Sequence, residues 1–315
     1  MAPILFVVLC WSLYKQIIHQ PDLPQRWLQI KNSWQNPLFW LVLLLMLVNW
    51  GLEARKWQLL IAPLEKFSFI KSFKSVLAGC SITMLTPNRV GEYGGRIVYV
   101  QEQNRLRAIT LTILGSISQF LVTILMGTIG LIVLKDFSGK DAEAFKDVPA
   151  FLSNTLLYVS LLTSIFTGLF YLRIGWLIHA MEKIKFLSKP LKYVRLLQQF
   201  SGKQLLRILF LSILRYGVFI LQYILLLSVM NIGINFILCF WLLTIFYLLM
   251  AIAPTIGFTE LPVRATASVA LFSLYSSNVL GIQAAALSIW LINLVLPAIM
   301  GSLLILGVKI TKDNE

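Results

Sequence analysis

Long apolar runs separated by short charged stretches set the pattern of this chain. Ala108–Leu134, Phe151–Leu172 and Ile282–Val308 carry no charge, and Ile208–Met230 is interrupted only at Arg215. A helix needs about 20 such residues to cross the hydrocarbon core of a bilayer, so each of these runs predicts a membrane helix. Phe236–Ala253 and Val263–Leu280 are shorter candidates. Leu38–Leu60 is another, with Glu53, Arg55 and Lys56 near its end, where a helix meets headgroups. The N-terminal run Ala2–Leu13 lacks a basic leader and a small-residue cleavage site, and reads as a short first membrane helix rather than a cleaved signal. Together these predict an all-α, polytopic integral membrane protein of about eight spans, forming one domain over residues 1–315.

Two places break the pattern. Between Lys71 and Pro87 the run Ser75–Pro87 is too short and too rich in small residues for a comfortable span, and it ends in Thr86-Pro87-Asn88. Backbone of this kind is tolerated at membrane depth only where protein or water shields it, which predicts a broken or re-entrant helix. The second break is Ala253-Pro254-Thr255-Ile256-Gly257, followed by Glu260, Pro262 and Arg264.

Composition agrees with the spans: 58% of the residues are hydrophobic and 13% are charged. Soluble domains carry about 25% charged residues, so a water-soluble globular protein is excluded. The net charge of +14 points to anionic inner-leaflet headgroups as partners and not to nucleic acid. Arg173–Arg207 holds eight basic residues against Glu182 alone, whereas Lys135–Ala150 holds three against four acids. By the positive-inside rule the first stretch is cytoplasmic and the second faces out. Glu53–Arg107 and the C-terminus, with Lys309 and Lys312, then also fall inside. Trp176–Phe200 mixes apolar residues with Lys and Arg around Pro190, as an interfacial amphipathic helix does.

Intramembrane charge marks the candidate site. From Ile208 to Val308 the charged residues are Arg215, Glu260 and Arg264, and each such charge costs about 2.5–3.5 kcal/mol on insertion scales unless it has a purpose or a partner. Glu260 and Arg264 lie four apart, which places them on one helical face. Glu92 and Arg96 repeat that spacing after Pro87, Arg89 and Gly91, as Glu260 and Arg264 follow Pro254 and Gly257. Matching interruptions in two halves, 38–134 and 205–308 joined by the amphipathic segment 173–204, point to an internal repeat with a shared site near the membrane midplane. The charge rule puts both breaks on the cytoplasmic side, whereas an inverted repeat puts them on opposite sides; both arrangements stay open. The expected substrate-binding residues are Arg89, Glu92, Arg96, Arg215, Glu260 and Arg264, with Pro87, Gly91, Pro254 and Gly257 as the structural breaks. Their guanidiniums and freed backbone amides suit a phosphate or carboxylate headgroup. The competing reading of each break is a kink with a self-satisfied ion pair.

Other polar residues are assigned lesser parts. Asn49, Gln119 and Asn293 read as interhelical hydrogen-bond partners, and Trp27, Trp34, Trp40, Trp50 and Trp57 as interfacial anchors. Cys10, Cys80 and Cys239 lie in apolar segments without paired spacing, so no disulfide framework or zinc site is expected. Neither histidine, His19 or His179, lies near the breaks, so no catalytic group, metal or cofactor is expected either.

Asn49–Trp57, the Thr86–Arg96 segment with its Arg89-Val90-Gly91-Glu92 core, and the Pro254/Gly257/Glu260/Arg264 segment resemble the lysylphosphatidylglycerol synthase transmembrane-region family, a flippase-like membrane domain, over nearly the whole chain. The resemblance implies a multi-pass protein of the bacterial inner membrane whose relatives move an aminoacylated phospholipid between leaflets. In those relatives a cytosolic synthase domain follows. The present sequence reaches Glu315, seven residues past the last predicted span, so a stand-alone domain without lysyl transfer is expected. The expected function is binding and translocation of a polar-headed phospholipid or lipid-linked headgroup. The alternatives are an accessory or scaffold subunit beside a cell-envelope enzyme, and a lipid-phosphate transferase.

Overall fold

The computed structural model describes residues 10–18 (without 12 and 16), 23–84, 86, 90–136, 149–182, 193–253 and 260–312. Over these the chain is helical, with no strand. The helices are α1 (Leu23–Lys31), α2 (Pro37–Ile61), α3 (Phe69–Thr83), α4 (Gly91–Arg96), α5 (Arg105–Asp136), α6 (Ala150–Leu172), α7 (Ile174–Glu182), α8 (Gly202–Val229), α9 (Phe236–Ile252), α10 (Glu260–Phe272), α11 (Val279–Trp290) and α12 (Leu296–Lys312).

Among the described residues, five helical stretches are long and apolar enough to cross a membrane: Pro37–Ile61, Glu102–Lys135, Ala150–Leu172, Gly202–Val229 and Val279–Leu306. Helix α9 is apolar but shorter, at 17 residues. The chain is therefore a multi-pass membrane protein. One expected span is not found. Val263–Leu280 is divided, because α10 stops at Phe272 after 13 residues and Asn278 caps a new helix, its side chain accepting from the Gly281 amide at 3.0 Å. The N-terminal run falls largely outside the described residues, as do Pro87, Arg89, Pro254, Gly257 and residues 183–192 around Pro190.

Local chemistry fixes the helix ends. Ser68 caps α3 by accepting from the Lys71 amide at 3.1 Å, and Asn235 caps α9 by accepting from the Ile237 amide at 2.9 Å. Helix α8 ends with Asn231 in the left-handed region, φ 54°. The Ile232 amide reaches the Leu227 carbonyl and the Asn231 amide that of Ser228, both at 2.9 Å, which satisfies those two carbonyls at the end of α8. A single π turn, Leu291–Val295, joins α11 to α12. Pro297 lacks an N–H and its ring would press on the carbonyl four residues back; the wider turn relieves both.

The chain forms two compact units. The first comprises residues 1–48, 126–160 and 217–296, and the second comprises 49–125, 161–216 and 297–315. In the first unit the core gathers Val42, Tyr223, Leu226, Leu242, Phe246 and Phe272. In the second it gathers Ala54, Trp57, Leu60, Leu77, Leu111 and Leu114. The order long helix, short helix, break, short helix, long helix occurs twice in sequence, as α2-α3-α4-α5 and as α8-α9-α10-α11 with α12.

Candidate functional site

In the second unit, α3 and α4 form an antiparallel helical hairpin. Its closeness depends on glycine. A Cβ on Gly95 would meet the Ala78 carbonyl and sit 2.5 Å from the Gly79 Cα, and one on Gly91 would run into the Ile82 backbone. Ser75 Oγ donates to the Arg96 carbonyl at 2.9 Å, which locks the end of α4 onto α3. The guanidinium of Arg96 is thereby held inside the unit, with 2% of the side chain exposed.

Arg96 meets a carboxylate hub on α2. Glu53 Oε1 accepts from Arg96 Nη2 at 2.7 Å. Glu53 Oε2 lies 2.7 Å from Lys56 Nζ and 2.9 Å from Arg215 Nη1. The same Arg96 Nη2 also pairs with Glu92 one helical turn back. Arg215 Nε donates to Asn49 Oδ1 at 2.7 Å, and Lys56 Nζ approaches the Gly115 carbonyl at 3.5 Å. The Trp57 ring lies under Arg96 at 5.2 Å and the Trp50 ring under Arg215 at 5.4 Å, a favourable cation–π geometry.

Ionised throughout, this cluster holds three cations (Lys56, Arg96, Arg215) and two carboxylates (Glu53, Glu92), a net +1. It also has donors to spare. Among the described residues no partner meets Arg96 Nε, the Trp50 and Trp57 indole N–H groups or Asn49 Nδ2, all buried. Unmet buried donors beside excess positive charge are what an anion satisfies.

A groove of about 370 Å³ in the same unit is lined by Tyr93 of α4, Ile113, Ser116, Ile117 and Phe120 of α5, and Phe166, Thr167 and Phe170 of α6.

The first unit holds a smaller constellation. Arg264 Nη2 bonds Glu260 Oε1 at 2.7 Å, with both residues buried, and the guanidinium lies 5.6 Å from the Phe246 ring. Tyr223 of α8 hydrogen-bonds Ser268, which shares α10 with Glu260 and Arg264, and packs edge-on against Phe246 at 5.3 Å. Tyr223→Phe keeps that packing and removes the hydroxyl bond. Its expected effect is a loss of about 1 kcal/mol, read as a lowered thermal midpoint; an unchanged midpoint would mean the bond contributes nothing.

The structure thus brings Glu92, Arg96 and Arg215 together, while Glu260 and Arg264 pair with each other in the first unit. Both four-residue spacings close as expected, by the same Arg Nη2–Glu Oε1 contact. Gly91 opens α4, whereas Arg89, Pro87, Pro254 and Gly257 lie outside the described residues. Three readings change. Glu53 and Lys56, read as charges near a helix end, are buried within the protein at 3% and 2% exposure. Trp50 and Trp57 are not interfacial anchors but buried walls of the cluster. Asn293 bonds the Ile289 carbonyl within its own helical stretch, not another helix. Asn49 and Gln119 do bond across helices, the latter to the Ser212 carbonyl at 3.4 Å.

A family model described as lysylphosphatidylglycerol synthase TM region matches residues 4–304. No curated protein and no solved structure matches the chain.

Proposed function

We propose that this chain, which belongs to the lysylphosphatidylglycerol synthase transmembrane-region family, binds a polar-headed phospholipid at the Glu53 cluster and passes its headgroup between leaflets. The observation that supports this is the depth of a cluster with surplus positive charge and unmet donors. Arg215 lies seven residues inside the apolar run Ile208–Met230, about 10 Å from its basic end at 1.5 Å per residue. A guanidinium at that depth is costly unless it is paired or serves a polar ligand; Glu53 and Asn49 pair Arg215, and the surplus charge and unmet donors of the cluster support the second role as well.

The hub carboxylate argues for transport over catalysis. Glu53 is committed to three cations, and general acid–base work needs a carboxyl free to take and release a proton. Glu260 and Arg264 are proposed to contact headgroups within their own unit, and the repeated order of elements supports reading 38–134 and 205–308 as halves of an internal repeat. The basic excess of Arg173–Arg207 supports an inner-membrane location with that stretch and the C-terminus cytoplasmic.

Leaflet exchange of fluorescent phosphatidylglycerol in proteoliposomes tests this. The wild type is expected to exchange it faster than protein-free vesicles. Arg96→Lys, which loses the planar fork, is expected to slow exchange about tenfold, the scale of one charge-assisted hydrogen bond, and Glu260→Gln to slow it as well. Exchange no faster than in protein-free vesicles would end the transporter reading.

A further inference from the structure

The five charged side chains are unequally committed. Glu53 uses both oxygens on three cations, with 4% of its side chain exposed. Glu92 ion-pairs only with Arg96 among the described residues, through the Nη2 that Glu53 already engages, and its side chain is 26% exposed. Its neighbour Tyr93 lines the apolar groove. Ser116, also lining the groove, follows Gly115, whose carbonyl faces Lys56. Cluster and groove therefore share two junctions within one unit: Glu92–Tyr93 on α4 and Gly115–Ser116 on α5.

Resting on the headgroup reading above, we propose that Glu92 is a displaceable counter-ion: the phosphate of an anionic phospholipid takes its place on Arg96 while an acyl chain of the same molecule lies in the groove walled by Tyr93, Phe120, Phe166 and Phe170. Arg96 Nε, buried and without a partner among the described residues, is a donor the phosphate gains beyond what Glu92 uses. The groove selects a lipid over free phosphate. Phe120 lies 120 − 105 = 15 residues from the start of α5 and 136 − 120 = 16 from its end, at mid-span, where an occupant is hydrocarbon. The charge balance selects an anionic head. With Glu92 displaced from contact, three cations face Glu53 alone; a phosphodiester offsets one of them, whereas a zwitterionic head also brings an ammonium into the same field. Glu92 returning to Arg96 then expels the head, so one carboxylate sets both selectivity and release.

Native mass spectrometry of the full chain, purified from vesicles of equal phosphatidylglycerol and phosphatidylcholine, reads retention directly, beside the exchange assay above. Glu92→Gln is near-isosteric and partly exposed, so the fold is expected to survive. Retention of phosphatidylglycerol over phosphatidylcholine is expected to rise about tenfold, the scale of one charge-assisted hydrogen bond, while exchange slows. Thr167→Trp, which fills the groove, is expected to lower retention, and excess inorganic phosphate to leave it unchanged. If Glu92→Gln lowers retention and Arg96→Lys does too, Glu92 only braces the site; the counter-ion role is overturned and the headgroup reading stands. If Arg96→Lys retains phosphatidylglycerol as the wild type does, the headgroup reading itself fails. Retention unaffected by Thr167→Trp, or lost to inorganic phosphate, removes the acyl groove.

Discussion

Glu53→Gln is expected to destabilise the protein by about 3–5 kcal/mol, the scale of removing one partner from a buried ion pair. The reason lies in the count of cations on one carboxylate. Lys56, Arg96 and Arg215 all lie within 2.9 Å of its oxygens, and the first two are almost wholly buried. A neutral amide keeps the shape and loses the charge, leaving three cations to Glu92, which reaches Arg96 alone among the described residues. Marginal proteins do not absorb such a loss. The measurement is thermal denaturation of detergent-purified protein, with Arg55→Gln as the comparison, since Arg55 sits on the same helix but is exposed. The account expects a large fall in midpoint for the first and almost none for the second. Similar midpoints would show that the cluster is not the hub that the geometry describes.

Gly95→Ala is expected to be as severe by a different route. One added methyl at residue 95 meets the backbone of α3 at the Ala78 carbonyl and the Gly79 Cα. Backbone cannot rotate away as a side chain does, so α4 has to lift off α3. Overpacking alone costs about 1–3 kcal/mol, and here the displaced helix also takes Arg96 away from Glu53. Gly94, next in the chain, has nothing within 4 Å of its would-be Cβ. Gly94→Ala is therefore expected to match the wild type in yield, monodispersity and lipid exchange, while Gly95→Ala loses all three. If both behave alike, close packing of the hairpin is not what holds the site.

What the sequence displayed and what it hid follow from the range of each interaction. Glu92–Arg96 and Glu260–Arg264 were legible because one helical turn fixes both partners locally. The union of Arg215 with Glu53 was not: 162 residues separate them, and no local pattern names a partner across helices. The burial of Glu53 was hidden by its position. It lies nearer the end than the start of the run Leu38–Leu60, where charges usually meet headgroups. A signal was nonetheless present. Met46, Asn49, Trp50, Glu53, Lys56, Trp57 and Leu60 recur at helical spacing and are all buried, while Arg55 falls on the other side. Reading that stripe as one face would have moved Glu53 and Trp57 inward. The division of Val263–Leu280 was also legible, in Ser276, Ser277 and Asn278, residues that favour helix caps over helix interiors. The apolar groove was not, since Tyr93, Phe120 and Phe166 read as ordinary lipid-facing or core aromatics until α4, α5 and α6 assemble.

The most direct measurement of the central claim is an experimental density map of the protein in a phosphatidylglycerol bilayer. A phosphate-sized feature is expected within hydrogen-bond reach of Arg96 Nε and the Trp57 indole, with a tail running past Phe120. Lipid confined to the outer surface, with Glu53, Glu92 and Arg96 closed on one another at saturating phosphatidylglycerol, would contradict it.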